Sequence, residues 1–234
     1  MKALEPILIS GREVLPLVEG GKGVSVSTGR SAGAWAAAGA VGTVSAVNAD
    51  SYDKEGRAIP QVYHGTTRRQ RYEELIAYAI CGGIAQVRIA HEASGGKGRI
   101  HLNVLWEAGG TNLILNGILE GAKGLLHGVT CGAGMPYRLA EISAKYQVYS
   151  YPIVSSGRAF RALWKRSFHK HGDWLGGVVY EDPWLAGGHN GLSNVESPDK
   201  PQAPYQRVKE LRDIMRTFGL DKTPIVMAGG VWHL

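Results

Sequence analysis

Cysteine is nearly missing: Cys81 and Cys131 are the only two in 234 residues. That is too few for a disulfide framework, and the N-terminus has no apolar signal-like stretch. The pair therefore reads as reduced thiols, and the expected location is the cytoplasm. Long hydrophobic runs are missing too. No window approaches the roughly 18 consecutive apolar residues of a membrane span, so no membrane partner is expected. Charge is modest in amount, at 20% of residues with a net +6. The basic residues are scattered. Arg68, Arg69 and Arg71 open one helical pattern, and Arg158, Arg161, Lys165 and Arg166 share another. Stacking aromatics do not alternate with them, so they read as solvated helix faces and nucleic acid is not an expected partner.

Glycine is what the chain has in excess. Its 33 glycines are about twice the usual share of roughly 7%. They fall as pairs and triplets just after apolar runs, where glycine permits a sharp turn or a close backbone approach to a ligand. Apolar runs and helical patterns alternate along the whole length. Strand-like runs are residues 15–18, 41–47, 99–106, 125–130, 148–154, 174–180 and 224–227. Between them lie helical patterns at 30–38, 68–93, 111–119, 136–146, the stretch after Ser155 or Ser156 (either can cap it), and 205–218. Gly82 and Gly83 interrupt the longest helix and mark a potential kink.

This alternation implies βαβ crossovers and a parallel sheet. The expected fold is α/β, a TIM (β/α)8-type barrel of about seven units, one short of closure, as though cut before the last. Residues 1–234 read as one such domain, with 181–204 a long loop insertion at the face that carries barrel active sites. A doubly wound open sheet is the competitor, but it would carry one dominant glycine fingerprint after its first strand. Here almost every strand ends in glycine or a polar cluster.

Several motifs look like chemistry and fail. Gly20-Gly21-Lys22-Gly23 suggests a phosphate loop, yet Pro16 stands where a Walker glycine is required and Gly23 where Ser or Thr is. What remains is a donor-rich turn at a strand end. His91-Glu92 opens like a zinc-protease helix, but Gly95 occupies the second histidine position. His169 and His171 lack further ligands, and no metal is expected.

The richest stretch is Glu181-Asp182-Pro183-Trp184-Leu185-Ala186-Gly187-Gly188-His189-Asn190-Gly191. A histidine titrating near neutrality suits proton transfer, and flanking glycines let backbone pass close to a planar ligand. A loop histidine satisfied by water is the equally plain alternative. Ala228-Gly229-Gly230 ends the last strand, where barrels commonly build a phosphate site from backbone N–H groups.

Taken in order, these residues resemble the nitronate monooxygenase (2-nitropropane dioxygenase) family of FMN-dependent barrels. Ala186–Gly191 is similar to its Gly-Gly-His motif, Glu19–Gly23 to its early flavin loop, residues 34–43 to the helix and strand that follow, and Ala228–Gly230 to its late phosphate-binding strand end. The resemblance runs from the first strand to the C-terminus. It implies FMN held noncovalently at the mouth of the barrel. It also implies oxidation of alkyl nitronates, or their parent nitroalkanes, by molecular oxygen to a carbonyl compound and nitrite. By motif match His189 is the catalytic base or orients the nitronate. Gly20, Gly21 and Lys22 lie against the flavin, Gly187 and Gly188 beside it, and Gly229 and Gly230 at its phosphate.

The match has departures. Lys22 stands where methionine is common, Asp182 where many members carry glutamine on the substrate side, and the family's last strand with its Gly-Thr phosphate clamp is not found before Leu234. An FMN-dependent enoyl-thioester reductase using NAD(P)H is the neighbouring reading, since that barrel group also carries Gly-Gly-His. A non-catalytic barrel lacking its last unit is the third. A homo-oligomer is left open.

Overall fold

The computed structural model describes residues 4–53, 55–187, 191–192 and 196–229. The chain falls into two compact units. One comprises the described residues up to Val104 with Ala108–Val129, the other Leu105–Glu107 and the described residues from Thr130 onward.

The first unit opens with a feature the sequence reading lacks. Strands β1 (Ile7–Ile9) and β2 (Arg12–Val14) form an antiparallel hairpin, with Ile7 opposite Val14. Ser10 and Gly11 both take positive φ at its tip (48° and 74°), the two-residue turn whose twist matches paired strands. Residues 15–19 then run beside β3 (Val41–Ser45): Leu15 N–H donates to Gly39 at 2.9 Å, Val41 N–H to Leu17 at 3.0 Å and Glu19 N–H to Val41 at 2.9 Å. The expected first strand is thus present as a parallel bridge at Val18, shortened because Leu17 N–H turns back to Leu15 C=O at 2.7 Å across Pro16 instead of joining the ladder.

Strand β3 pairs in parallel with β4 (Arg99–Leu105), with Val41 opposite Arg99 and Ser45 opposite Asn103. Helices α1 (Gly29–Ala37), α2 (Arg68–Ser94) and α3 (Thr111–Gly121) complete the unit. The N-terminus of α2 carries a capping box between Thr67 and Gln70, and Gly95 ends it with a left-handed backbone.

The expected kink at Gly82 and Gly83 is not there; α2 is continuous. A Cβ on Gly82 would collide with the carbonyl oxygen of Ala49, and one on Gly83 with the Ile118 side chain on α3. The pair is there for close packing, and tertiary contact outweighs its weak helix propensity. Cys81, beside it, is exposed.

One buried and one half-buried histidine, His101 and His127, sit in this unit. His101 Nε2 is 2.9 Å from Ser10 Oγ at the hairpin tip, and His127 Nδ1 accepts from Ile100 N–H at 3.0 Å. Burial first, then the charges of His127 and Arg99, hold His101 down to about 3; burial and Arg99 hold His127 down to about 4. In the unfolded chain both titrate near 6.5, so above that pH their neutral burial contributes its full stability. As pH falls below it, the unfolded state binds protons the folded state refuses. Stability then drops by up to about 1.4 kcal/mol per pH unit for each histidine, until the folded groups protonate near 4 and 3. Melting temperature should accordingly be flat from pH 8 to 7 and fall steeply below 6, with a shallower fall in His127→Asn. A curve flat down to pH 5 would contradict this.

The second unit is built on β6 (Tyr149–Val154), β7 (Val178–Glu181) and β8 (Ile225–Ala228), all parallel, with Tyr180 opposite Met227 and Glu181 opposite Ala228. Helices α4 (Leu139–Tyr146), α5 (Gly157–Arg166) and α6 (Pro204–Arg216) cover it. Ser156, not Ser155, caps α5, accepting from Ala159 N–H at 3.2 Å. Pro204 starts α6 at a position where its missing N–H has no helical partner to lose. Tyr151, Phe160, Leu163, Phe168, Tyr180 and Leu211 are fully buried and form its core. The strand expected at 174–180 starts later, because Phe168–Trp174 winds as a 3-10 helix ending on Trp174.

Strand β5 (Gly128–Gly132) contributes residues to both units and buries Cys131, whose thiol burial pushes up. The parallel strands lie in chain order, β3-β4-β5-β6-β7-β8. That order belongs to the (β/α) barrel type and excludes the doubly wound alternative, whose strand order reverses at a switch point. The fold class is therefore α/β of barrel type. No helix among the described residues is long and apolar enough to cross a membrane.

Candidate functional site

In parallel (β/α) folds the chemistry sits at the C-terminal strand ends. In the first unit that end is the turn after Val18. Glu19 is buried, accepting from Ser31 Oγ at 2.8 Å and from Thr43 N–H at 3.1 Å. Ser27 Oγ closes the following loop, accepting from Lys22 N–H and donating to Gly20 C=O, each at 3.0 Å. The Lys22 ammonium donates to Gly20 C=O at 3.2 Å and lies 4.0 Å from Glu19, with 57% of its side chain exposed.

The glycines differ in what they do. A Cβ on Gly20 would meet nothing within 4 Å, so its backbone is open to an approaching group. A Cβ on Gly21 would collide with the Asn103 side chain, so Gly21 is small because β4 lies against it. Among the described residues no acceptor takes the N–H of Gly20 or Gly21. Two open N–H groups and an ammonium make an anion-accepting turn. Asn103 was not anticipated. Its signal is the lone amide side chain in an otherwise strand-like run, placed near the C-terminal end.

In the second unit the equivalent place is the end of β7. Asp182 is 1% exposed. Its Oδ2 accepts from the Tyr180 hydroxyl at 3.0 Å, and its Oδ1 from Trp184 N–H at 2.9 Å and Leu185 N–H at 3.0 Å. Burial, then the bond to Asp182, pushes the Tyr180 phenol up, so it stays a donor. Asp182 N–H donates to Ala228 C=O and Ala186 N–H to Asp182 C=O, each at 3.0 Å. The carboxylate thus builds the turn that delivers Ala186 and Gly187. Gly187 is open, with nothing within 4 Å of where a Cβ would be.

Gly229 faces this turn from the end of β8. Its φ is +85°, and a Cβ there would lie 3.0 Å from Ala186 Cβ and 3.2 Å from Asp182 N, so both backbone and space call for glycine. Gly188, His189 and Gly230 lie outside the described residues.

A second unanticipated residue is Arg207 on α6, only 4% exposed. Its Nη1 donates to Glu196 and, at 2.9 Å, to Gln202, and its Nη2 donates to Ser155 C=O at 2.5 Å. The guanidinium also lies 5.1 Å from the centre of the Trp184 ring. Nearby, a cavity of about 340 Å³ opens at the ends of β5 and β6, with Met135, Val154, Ala159, Ala162 and Leu192 among its walls. A hollow of about 630 Å³ elsewhere is walled by Arg161, Lys209, Glu210 and Asp213 on helices, away from any strand end. The smaller cavity is the better candidate for substrate, being largely apolar and placed where loops carry chemistry.

No protein-family model matches the chain, and no curated protein matches it. Solved structures do. FabK from Thermotoga maritima matches at 15% identity with a TM-score of 0.53, over 91% of this chain and 57% of that one. A mutant of the same FabK matches at 16% and 0.54, over 92% and 53%. Nitroalkane oxidase from Streptomyces ansochromogenes matches at 15% and 0.57, over 93% and 59%. The chain therefore spans between 53% and 59% of the length of these structures. At such identities the likeness is one of fold: the chain has the α/β fold of the matched parts of FabK and of nitroalkane oxidase.

Proposed function

We propose that the chain is an FMN-dependent oxidoreductase of the nitronate monooxygenase type, oxidising alkyl nitronates or nitroalkanes with molecular oxygen to a carbonyl compound and nitrite. The observation that carries this reading is the register of β7 and β8. It sets Ala186, where the Gly-Gly-His resemblance begins, against Gly229, where the described part of the late strand-end motif stops. The likeness of fold to a nitroalkane oxidase supports it.

The residues present fit such a cofactor. Gly20 and Gly187 leave backbone open, the N–H groups of Gly20 and Gly21 lack acceptors among the described residues, and Lys22 adds a positive charge. In this reading the first unit offers Gly20, Gly21 and Lys22 to the flavin, and the second offers it Gly187 and Gly188, with Gly229 and Gly230 for its phosphate. FMN, when bound, supplies the electron acceptor. His189 takes the proton from the carbon bearing the nitro group, or holds the nitronate oxygens by donating to them. Asp182, expected on the substrate side, acts there through the turn it builds. The apolar cavity walled by Met135 and Leu192 takes the alkyl part of the substrate.

The test is the visible spectrum of the purified chain, followed by anaerobic titration. Flavin bands that bleach with nitronate, and not with NAD(P)H, are the expected result. Rapid bleaching by NAD(P)H alone would replace this reading with an enoyl-thioester reductase. A colourless chain that does not take up added FMN would favour a non-catalytic barrel.

A further inference from the structure

We propose that Arg207 and Ser155 form a clamp that positions the long connection between β7 and α6, the segment that contains His189. The inference rests on the proposed role of His189 only for its activity readout.

Arg207 sits in the first turns of a surface helix, where an arginine ordinarily points to water; here it is buried. Its partners come from separate places: Ser155 at the end of β6, Trp184 just after β7, and Glu196 and Gln202 late in the connection. A buried ion pair is a poor device for stability, because desolvating both charges offsets most of their attraction. A planar guanidinium fork is a good device for geometry, since it binds several acceptors at fixed directions where a lysine offers a single point charge.

Ser155 extends the clamp. Its carbonyl accepts from Arg207 while its hydroxyl donates to Gly191 C=O at 3.2 Å. The connection is therefore tied at Trp184, five residues before His189, at Gly191, two residues after it, and again at Glu196 and Gln202. Trp184 is held further by its indole N–H, which donates to Ser197 C=O at 3.2 Å. No local sequence motif announces this; it is a long-range arrangement centred on one side chain.

The test uses Ser155→Ala, which removes only the hydroxyl bond, and Arg207→Lys, which keeps the charge and loses the fork. Hydrogen exchange of peptides covering residues 183–202 is compared with that of β6 and α6. The expected result is faster exchange in 183–202 alone, by a few-fold in Ser155→Ala and roughly tenfold in Arg207→Lys, about what one or two hydrogen bonds are worth. In the FMN-loaded protein, nitronate kcat should fall by a similar factor with KM little changed, as misplacement of a reacting group requires. Unchanged exchange in both variants, or a rise spread equally over β6 and α6, overturns the clamp. Locally faster exchange with unchanged kcat overturns its positioning role. Should the parent turn over no nitronate, the proposed function fails while the exchange data still decide the clamp.

Discussion

On the proposed function, replacing His189 with alanine is expected to lower nitronate turnover by roughly 10²–10⁴-fold, the usual worth of a positioned acid–base group, and to leave bound flavin in place. The two halves of this expectation have separate physical grounds. Alanine removes the one ionisable side chain in the Gly187–Gly191 stretch, so proton transfer or nitronate orientation is lost. In the proposed function flavin binding rests on other groups: the open backbone of Gly20 in the first unit, and of Gly187 with the left-handed Gly229 in the second, beside the Lys22 ammonium of the first. The turn after β7 is fixed by Asp182, whose oxygens accept from Tyr180, Trp184 and Leu185 among the described residues. Steady-state turnover and the flavin-to-protein absorbance ratio check both halves. Turnover within twofold of the parent would remove the imidazole from the chemistry. Joint loss of flavin and turnover would instead make it a structural residue.

Gly82→Ala destabilises the protein, although helix propensity alone gives it the opposite sign. Mid-helix glycine costs about 1 kcal/mol relative to alanine, so an unpacked Gly82 would gain that much on substitution. The added methyl, however, overlaps the backbone oxygen of Ala49, and backbone cannot rotate away as a side-chain tip can. Overpacking of this kind costs about 1–3 kcal/mol or more and outweighs the gain. The neighbouring Gln86 amide, which donates to Asp50 C=O at 2.8 Å and accepts from Gly29 N–H at 2.6 Å, ties the same loop and the N-terminus of α1 to α2, so the loop has little room to retreat. A melting temperature several degrees below the parent's is expected. A rise would mean that the 49–50 backbone is free to yield.

These two residues mark the line between what was legible in the sequence and what was not. Alternating apolar runs and helical patterns are local signals, so the parallel α/β order follows from neighbours in the chain, and the cap of α5 narrows to Ser155 or Ser156, of which the structure chooses the second. The Gly82-Gly83 pair is a local signal with two meanings, a break or a contact face, and only the partners Ala49 and Ile118 choose between them. The N-terminal hairpin was missed because three-residue strands leave no period to detect. Arg207 carries no local signal within the helical pattern at 205–218. Its burial comes from Ser155 and Glu196, 52 and 11 residues away. Asp182 stands out in the sequence for its place before Gly-Gly-His, whereas its three donors, Tyr180, Trp184 and Leu185, lie within three residues of it but form no motif that announces the turn.

The contrast between the two cysteines has a practical consequence. Cys131 is enclosed in β5 with its thiol held protonated, whereas Cys81 stands exposed on α2 next to Gly82. Thiolate, not thiol, reacts with alkylating reagents. The native chain therefore offers one addressable sulfur, and a dye or spin probe attached there reports on the helix face adjoining its tightest packing contact. Labelling stoichiometry rising from one towards two on warming would then date the opening of β5 directly.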